Sequence, residues 1–260
     1  MYIKPYDELT IQYNFIFQKV MRNKRICKQT IERLLDIDIK DISYPEEEKS
    51  INVRLDSKSI RLDVYVNDDK GTVFNIEMQT TKDMDELVKR ARYYQGLIDI
   101  DNIEKGQNYS ALHDTYIIFI CTFGVFTGKR HKYTFRNLCI EDSEILLNDG
   151  TTKLFLSTKG EADDVSKPLK MFLDYVDGKK PEDALMQEID HEVYTVKHCD
   201  EWRRDYMTLA LEMDKKWREG KAEGKIEAIR NAIKDGLTTL AAVKKSGRYT
   251  EEEIAAIAAP

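Results

Sequence analysis

The sequence predicts an α/β (α+β) domain built on a mixed sheet and followed by a helical C-terminal region. Three stretches carry that prediction. Arg61 to Gln79, RLDVYVNDDKGTVFNIEMQ, sets two runs rich in Val, Ile, Phe and Tyr around the turn segment Asn67 to Gly71, which is the pattern of a β-hairpin. Thr115 to Phe123, TYIIFICTF, is almost wholly apolar, as expected for a central strand buried on both faces. Between them, Asp83 to Ile100 reads as a helix. Leu87, Ala91, Tyr94, Leu97 and Ile98 fall on one face, and Asp83 with Glu86 three residues later has the spacing of a capped N-terminus. An antiparallel hairpin linked through a helix to a two-sided strand implies a mixed sheet.

The remaining elements follow in order. Residues 1–8 read as a loose lead-in. Leu9 to Leu35 reads as helical, with Phe15, Phe17, Val20, Met21 and Ile26 as an apolar stripe that Ile31, Leu34 and Leu35 continue, and with a break near Asn23. Tyr44 to Lys49 is a polar connection. Ser50 to Asp56 reads as a strand with a turn at Ser57 to Ser59, so three antiparallel strands are expected with the hairpin. Tyr109 to His113 is a short helical turn. Tyr133 to Ile140 and Lys153 to Ser157 read as further strands, with a turn at Asn148, Asp149 and Gly150 between them. The element order is therefore α-β-β-β-α-β.

After Gly160 the pattern is helical. Lys167 to Val176 is stopped near Gly178, and Pro181 with Glu182 and Asp183 suits the first turn of the next helix. Trp202, Tyr206, Leu209, Met213 and Trp217 recur at helical spacing as a packing stripe. Gly220 and Gly224 each weaken a helix by ~1 kcal/mol relative to Ala and predict a hinge or flexible linker. Beyond it lie an amphipathic Lys225 to Lys234 and two short helices, Thr238 to Lys245 and Thr250 to Ala258, the second with capping-box spacing between Thr250 and Glu253. Three carboxylates open that last helix, which argues against a DNA-reading helix-turn-helix and for a self-associating helical hairpin.

Composition removes several function classes. The 42% hydrophobic and 34% charged residues are those of a globular protein, with no apolar run of the ~20 residues that span a bilayer and no signal-peptide pattern. A net charge of -6 argues against a protein that coats DNA non-specifically, though local basic clusters remain at Lys19, Arg22, Lys24, Arg25 and Lys28, and at Lys129, Arg130, Lys132 and Arg136. The second cluster directly follows a buried strand and is the better candidate for phosphate contact. Cys27, Cys121, Cys139 and Cys199 form no CxxC pair, so reduced thiols in a cytoplasmic protein are expected. GKAEGK lacks P-loop spacing, and the four histidines have no metal-ligand spacing.

The hairpin holds the candidate chemistry. Side chains alternate along a strand, so Leu62, Val64 and Val66 share one face, as do Phe74, Ile76 and Met78. The opposite face carries Arg61, Asp63, Tyr65, Asn75, Glu77 and Gln79, and a turn centred near Lys70 puts Asp63 directly across from Glu77. Opposed carboxylates repel. Water can screen them on a solvent-facing hairpin, a proton can be shared, or a cation can sit between them. Two carboxylates and a backbone carbonyl suit Mg²⁺, whose bound water can attack a phosphodiester.

RLDVYV, NIEMQ and KRARYYQGLI (Lys89 to Ile98), followed by GQNYSALHDTYIIFICTF (Gly106 to Phe123), resemble the recombination-promoting nuclease and putative transposase family of the PD-(D/E)XK nuclease superfamily. The likeness runs to about Lys216. It implies a restriction-endonuclease-like core over residues 1–160, to which the helical patterns read above add an extension packed on it over 161–217 and a helical tail over 218–260. It also implies a metal-dependent DNA endonuclease linked to recombination or transposition. In that reading Asp63, Glu77 and the Met78 backbone carbonyl hold Mg²⁺ (or Mn²⁺ or Ca²⁺), and Gln79 completes the catalytic set. Arg61, Arg90, Lys129, Arg130 and Lys132 contact DNA, with Asn14, Tyr93 and Tyr94 in support. A homodimer or higher homo-oligomer through the C-terminal helices is expected, with no membrane partner. The chain departs from the pattern in two places. Asn14 stands where the family usually has Asp, and Gln79 where the superfamily often has Lys, with Lys82 just beyond the strand as a substitute; Glu-x-Gln itself is normal for the family. The alternative is a catalytically weak or inactive nuclease-fold protein that serves as a nucleic-acid or protein interaction module.

Overall fold

A computed structural model of the chain describes residues 3–44, 50–51 and 60–258. The chain divides into two compact units: Asp7–Cys199, and the residues up to Tyr6 together with those from Asp200 onward.

In the larger unit, α1 (Asn14–Met21) and α2 (Lys24–Leu35) are separated at Asn23, whose side chain caps α2 by accepting from the Ile26 N–H. The helical region starts at Asn14 rather than Leu9, because a turn closed by Tyr13 N–H on the Thr10 carbonyl occupies the preceding residues. Next come β1 (Ile42–Ser43), β2 (Ser50–Ile51), β3 (Ile60–Arg61), β4 (Val64–Asp68) and β5 (Val73–Gln79). Then follow α3 (Met84–Asn102), β6 (Thr115–Cys121), β7 (Lys132–Phe135) and β8 (Thr151–Ser157). Six strands form one mixed sheet in the order β1-β4-β5-β6-β8-β7, with β5, β6 and β8 parallel to one another. The expected restriction-endonuclease-like α/β order is present, and β6 is central and buried.

The hairpin register is the expected one. Val64 pairs with Ile76 and Tyr65 with Asn75, and the turn closes between Asp68 and Thr72 around Lys70. Gly71 sits at φ 85°, and a Cβ there would meet the His113 ring at 2.6 Å, so only glycine fits.

Several expectations need correction. The strand expected from Ser50 does not extend the hairpin sheet: β2 pairs with β3 as a separate two-stranded ribbon, and the third antiparallel strand is β1. The expected Ser57 to Ser59 turn lies outside the described residues. The run RLDVYV is interrupted by a bend at Asp63, which turns Leu62 away from Val64 and Val66 into the opposite core cluster with Tyr65, Ile117 and Phe119. The odd-numbered hairpin face is dry at Tyr65, Asn75 and Glu77, beneath α3 with Leu87, Ala91, Tyr94, Leu97 and Ile98, and opens toward solvent at Arg61, Asp63 and Gln79. The strand expected from Tyr133 to Ile140 stops at Phe135, and Leu138 only bridges Leu146.

The other face of the sheet carries α1, α2, α4 (Lys167–Val176) and α5 (Ala184–Lys197), with α1 on β5 and α5 on both α1 and α2. Asp183 caps α5 and accepts a 2.6 Å ion pair from Arg33 on α2. Pro181 lies ahead of that cap rather than in the first turn.

In the smaller unit, α6 (Asp200–Lys234) runs unbroken through Gly220 and Gly224, so no hinge forms there. Two losses of ~1 kcal/mol do not outweigh the Lys, Glu, Arg and Ala residues around them, all good helix formers. The shorter α7 (Leu240–Lys245) and α8 (Glu251–Ala258) follow. Thr250 and Glu253 form the expected capping box, with reciprocal bonds of 3.2 and 2.9 Å. Arg230 on α6 donates to the Ala256 carbonyl of α8. The lead-in is held rather than loose: Tyr6 is buried, 5.4 Å from the Tyr206 ring, and Tyr206 Oη donates to the Lys4 carbonyl at 2.6 Å.

Candidate active site

The bend at Asp63 builds the site. Continuing the β4–β5 register by one residue places Asp63 opposite Glu77. Their groups interlock: the Asp63 backbone N–H donates to Glu77 Oε1 at 3.1 Å, and the Met78 N–H donates to Asp63 Oδ2 at 3.1 Å. The N–H and C=O of one strand residue point toward the same neighbouring strand, so the Met78 carbonyl lies on the Asp63 side of β5.

Two amides from α1 hold the other Asp63 oxygen. Gln18 donates to Oδ1 at 2.8 Å and Asn14 at 3.3 Å. Asn75, fully buried, donates to Glu77 Oε1 at 3.1 Å and to the Val64 carbonyl at 3.3 Å once its amide is oriented to satisfy both. Neither Gln18 nor Asn75 was among the expected site residues, although the hairpin alternation places Asn75 on the same face as Asp63 and Glu77. Gln18 sits four residues after Asn14, hence on the same helix face, and that spacing is the one signal that points to it.

Burial makes this arrangement costly for charge. Glu77 is only 5% exposed, and its pKa is raised well above the usual carboxylate value, first by desolvation and then by the Asp63 charge. Asp63 is also raised, chiefly by desolvation, against the opposing pull of Gln18 and the Met78 N–H. Among the described residues no group of three or more His, Cys, Asp and Glu side chains is placed to hold a metal. The donors available are these two carboxylates and main-chain oxygen. They suit a hard divalent cation, which would relieve the charge repulsion between them.

Arg90 enters from α3. Its Nη2 donates to Gln79 Oε1, and its guanidinium lies 5.2 Å from the Phe119 ring centroid and 5.8 Å from that of Tyr94. Its charge opposes the upward shifts of both Asp63 and Glu77. Lys82, beyond β5, is exposed; the cation beside Gln79 is Arg90. Tyr94 is buried against Phe119, whereas Tyr93, its neighbour, is 38% exposed. Arg61, exposed on β3, adds a favourable charge at Asp63.

The basic clusters are not brought to this point. Lys129, Arg130 and Lys132 lie at β7, three strands from β5, or ~14 Å at the usual strand spacing. Lys129 is paired with Glu161 at 2.7 Å, and Lys132 Nζ donates to the Leu34 carbonyl. Burial lowers the Lys132 pKa. Arg130 is exposed. In the first cluster, Lys24 pairs with Asp41, Arg25 with Glu188 and Lys28 with Glu32.

A family model for PD-(D/E)XK nuclease family transposases matches residues 12–159. That span runs from just before α1 to just after β8 and includes every residue of the carboxylate site. No curated protein and no solved structure matches the chain. The chain therefore belongs to the PD-(D/E)XK nuclease family transposases.

Proposed function

We propose that this chain is a metal-dependent endodeoxyribonuclease whose cleavage serves recombination or transposition. The observation that carries the reading is the pair of facing carboxylates, half-buried Asp63 and buried Glu77, with the Arg90 guanidinium beside both. Asp63, Glu77 and the Met78 carbonyl would hold Mg²⁺, with Mn²⁺ and Ca²⁺ as substitutes of the same oxygen-seeking class. The ion, when bound, supplies a water of lowered pKa and stabilises the charge of the pentavalent phosphate.

The protein's own groups do the rest. Asn14 and Gln18 fix the Asp63 carboxylate, and Asn75 fixes that of Glu77. Gln79 orients Arg90 by accepting its hydrogen bond, which leaves further guanidinium donors for a phosphate oxygen. Arg61 contacts the DNA backbone near Asp63, and Arg130 contacts it at the sheet edge. The helical unit from Asp200 serves homo-oligomerisation, because α6 leaves Met207 and Leu211 54% and 70% exposed on one face. Four free cysteines among the described residues fit a reducing, cytoplasmic setting. No helix among the described residues is long and apolar enough to cross a membrane.

The test is nicking of supercoiled plasmid by the purified chain with Mg²⁺, Mn²⁺, Ca²⁺ or EDTA, beside Asp63→Ala and Glu77→Ala. Metal-dependent cleavage lost in both variants is expected. Equal cleavage by all three proteins would place the chemistry elsewhere.

A further inference from the structure

We propose that Arg90 acts as the second cationic centre of the site, so that the site takes one divalent ion rather than two. The inference deepens the reading of Asp63 and Glu77 as metal ligands and rests on it.

The first argument is charge. Two carboxylates face the half-buried Arg90 guanidinium, while Arg61, a further charge acting on Asp63, is exposed and screened by water, so the enclosed groups leave a single net negative charge. One divalent ion turns that to a single positive charge, and one phosphodiester then cancels it. A second ion would leave two uncompensated positive charges on the loaded site, which low-dielectric surroundings penalise strongly.

The second argument is fixity. A mobile surface arginine would swing away from an arriving ion, but Arg90 is held on three sides. Gln79 accepts from Nη2, and the guanidinium lies over both Phe119 and Tyr94. Phe119 is the β6 partner of Glu77, so Arg90 stands over the column next to the carboxylate, ~4.8 Å away across the sheet. Its Nε is buried with no hydrogen-bond partner among the described residues.

The third argument is the opposite flank of Asp63, where a second ion would need oxygen ligands. Oδ1 there is taken by the amide nitrogens of Gln18 and Asn14, which offer hydrogens rather than lone pairs. Gln79 fits the same scheme. A neutral acceptor can hold Arg90, whereas an ammonium at position 79 would repel it.

The test is calorimetric titration of full-length protein with Mn²⁺ alone, without DNA, on the wild type, Arg90→Gln, Arg90→Lys and Asp63→Ala, each checked for folding by circular dichroism. One ion per chain is expected in the wild type. Arg90→Gln should bind it about fivefold tighter, through removal of a like charge, while its plasmid nicking falls. Arg90→Lys should stay within about twofold of wild type. Affinity and cleavage moving in opposite directions separates a charge role from structural damage, which would lower both. Two ions per wild-type chain, or an Arg90→Gln protein that binds no tighter, would overturn the role of Arg90 and leave the carboxylate site standing. If Arg90→Gln does not fold, the wild-type stoichiometry and an unchanged affinity in Arg90→Lys still decide the matter. No binding to the wild type, with none to Asp63→Ala, would overturn the metal reading itself and this inference with it.

Discussion

The two faces of β5 are equally hidden from water and built for opposite purposes. Phe74, Ile76 and Met78 face the layer of α1, α2, α4 and α5 and are at most 2% exposed. Asn75 and Glu77, one residue out of phase with them, face α3 and are no more than 5% exposed. The first face gains the ordinary free energy of apolar burial. The second hides the Glu77 carboxylate and the Asn75 amide, with Asp63 and Arg90 half-buried against them, all groups that prefer water. A strand that alternates apolar and polar normally reports solvent on one side. Here it reports a polar line inside the molecule, kept where a catalyst would need it and not where stability would.

The largest effect that separates the faces is on cleavage. Asp63→Ala, Glu77→Ala or chelation of the metal should each reduce plasmid nicking about 100-fold or more, while the apolar face remains untouched. The next is on stability. Ile76→Ala should lower unfolding free energy by about 2–5 kcal/mol in urea titration, from lost burial and the cavity left behind. Glu77→Gln, its immediate neighbour, should leave the metal-free protein as stable as wild type or more stable at pH 8. If the two substitutions cost the same, the odd-numbered face is structural after all.

A smaller effect is expected at Gln18. Its loss to Ala removes one hydrogen bond that favours the charged Asp63 carboxylate, and should raise the pH at which metal-dependent cleavage begins. The smallest is expected from replacing Met207 and Leu211 together by Glu. Specific nicking activity per chain should hold within about twofold, while the mass measured by light scattering falls to that of a monomer. An unchanged mass would remove this face of α6 from assembly.

Much of this site was legible in sequence. The period-2 alternation and the position of Gly71 fixed the turn near Lys70, and that alone put Asp63 across from Glu77. Asp83 as helix cap and the buried stripe of α3 were equally local signals. What escaped depends on contacts distant in sequence. Gln18 meets Asp63 across 45 positions. The cover that α3 provides is invisible to an alternation that reads identically beside water. Strand order decides that Lys132 ends on the α2 carbonyl of Leu34, far from β5, and no local pattern encodes strand order. Gly220 and Gly224 misled because their weak penalties are averaged over a 35-residue helix.

The most direct measurement is thermal unfolding of wild type and Glu77→Gln at pH 5 and pH 8, with and without Mg²⁺. Burial raises the folded-state pKa of Glu77 above its unfolded value. The penalty is therefore absent below the unfolded pKa and appears as pH rises through the folded one, with a slope of at most about 1.4 kcal/mol per pH unit. The metal-free wild type should thus lose stability from pH 5 to pH 8 relative to Glu77→Gln, and Mg²⁺ should restore it in the wild type alone. Wild-type and Glu77→Gln curves that respond alike to pH and to Mg²⁺ would mean that the buried carboxylates neither strain the fold nor bind the ion.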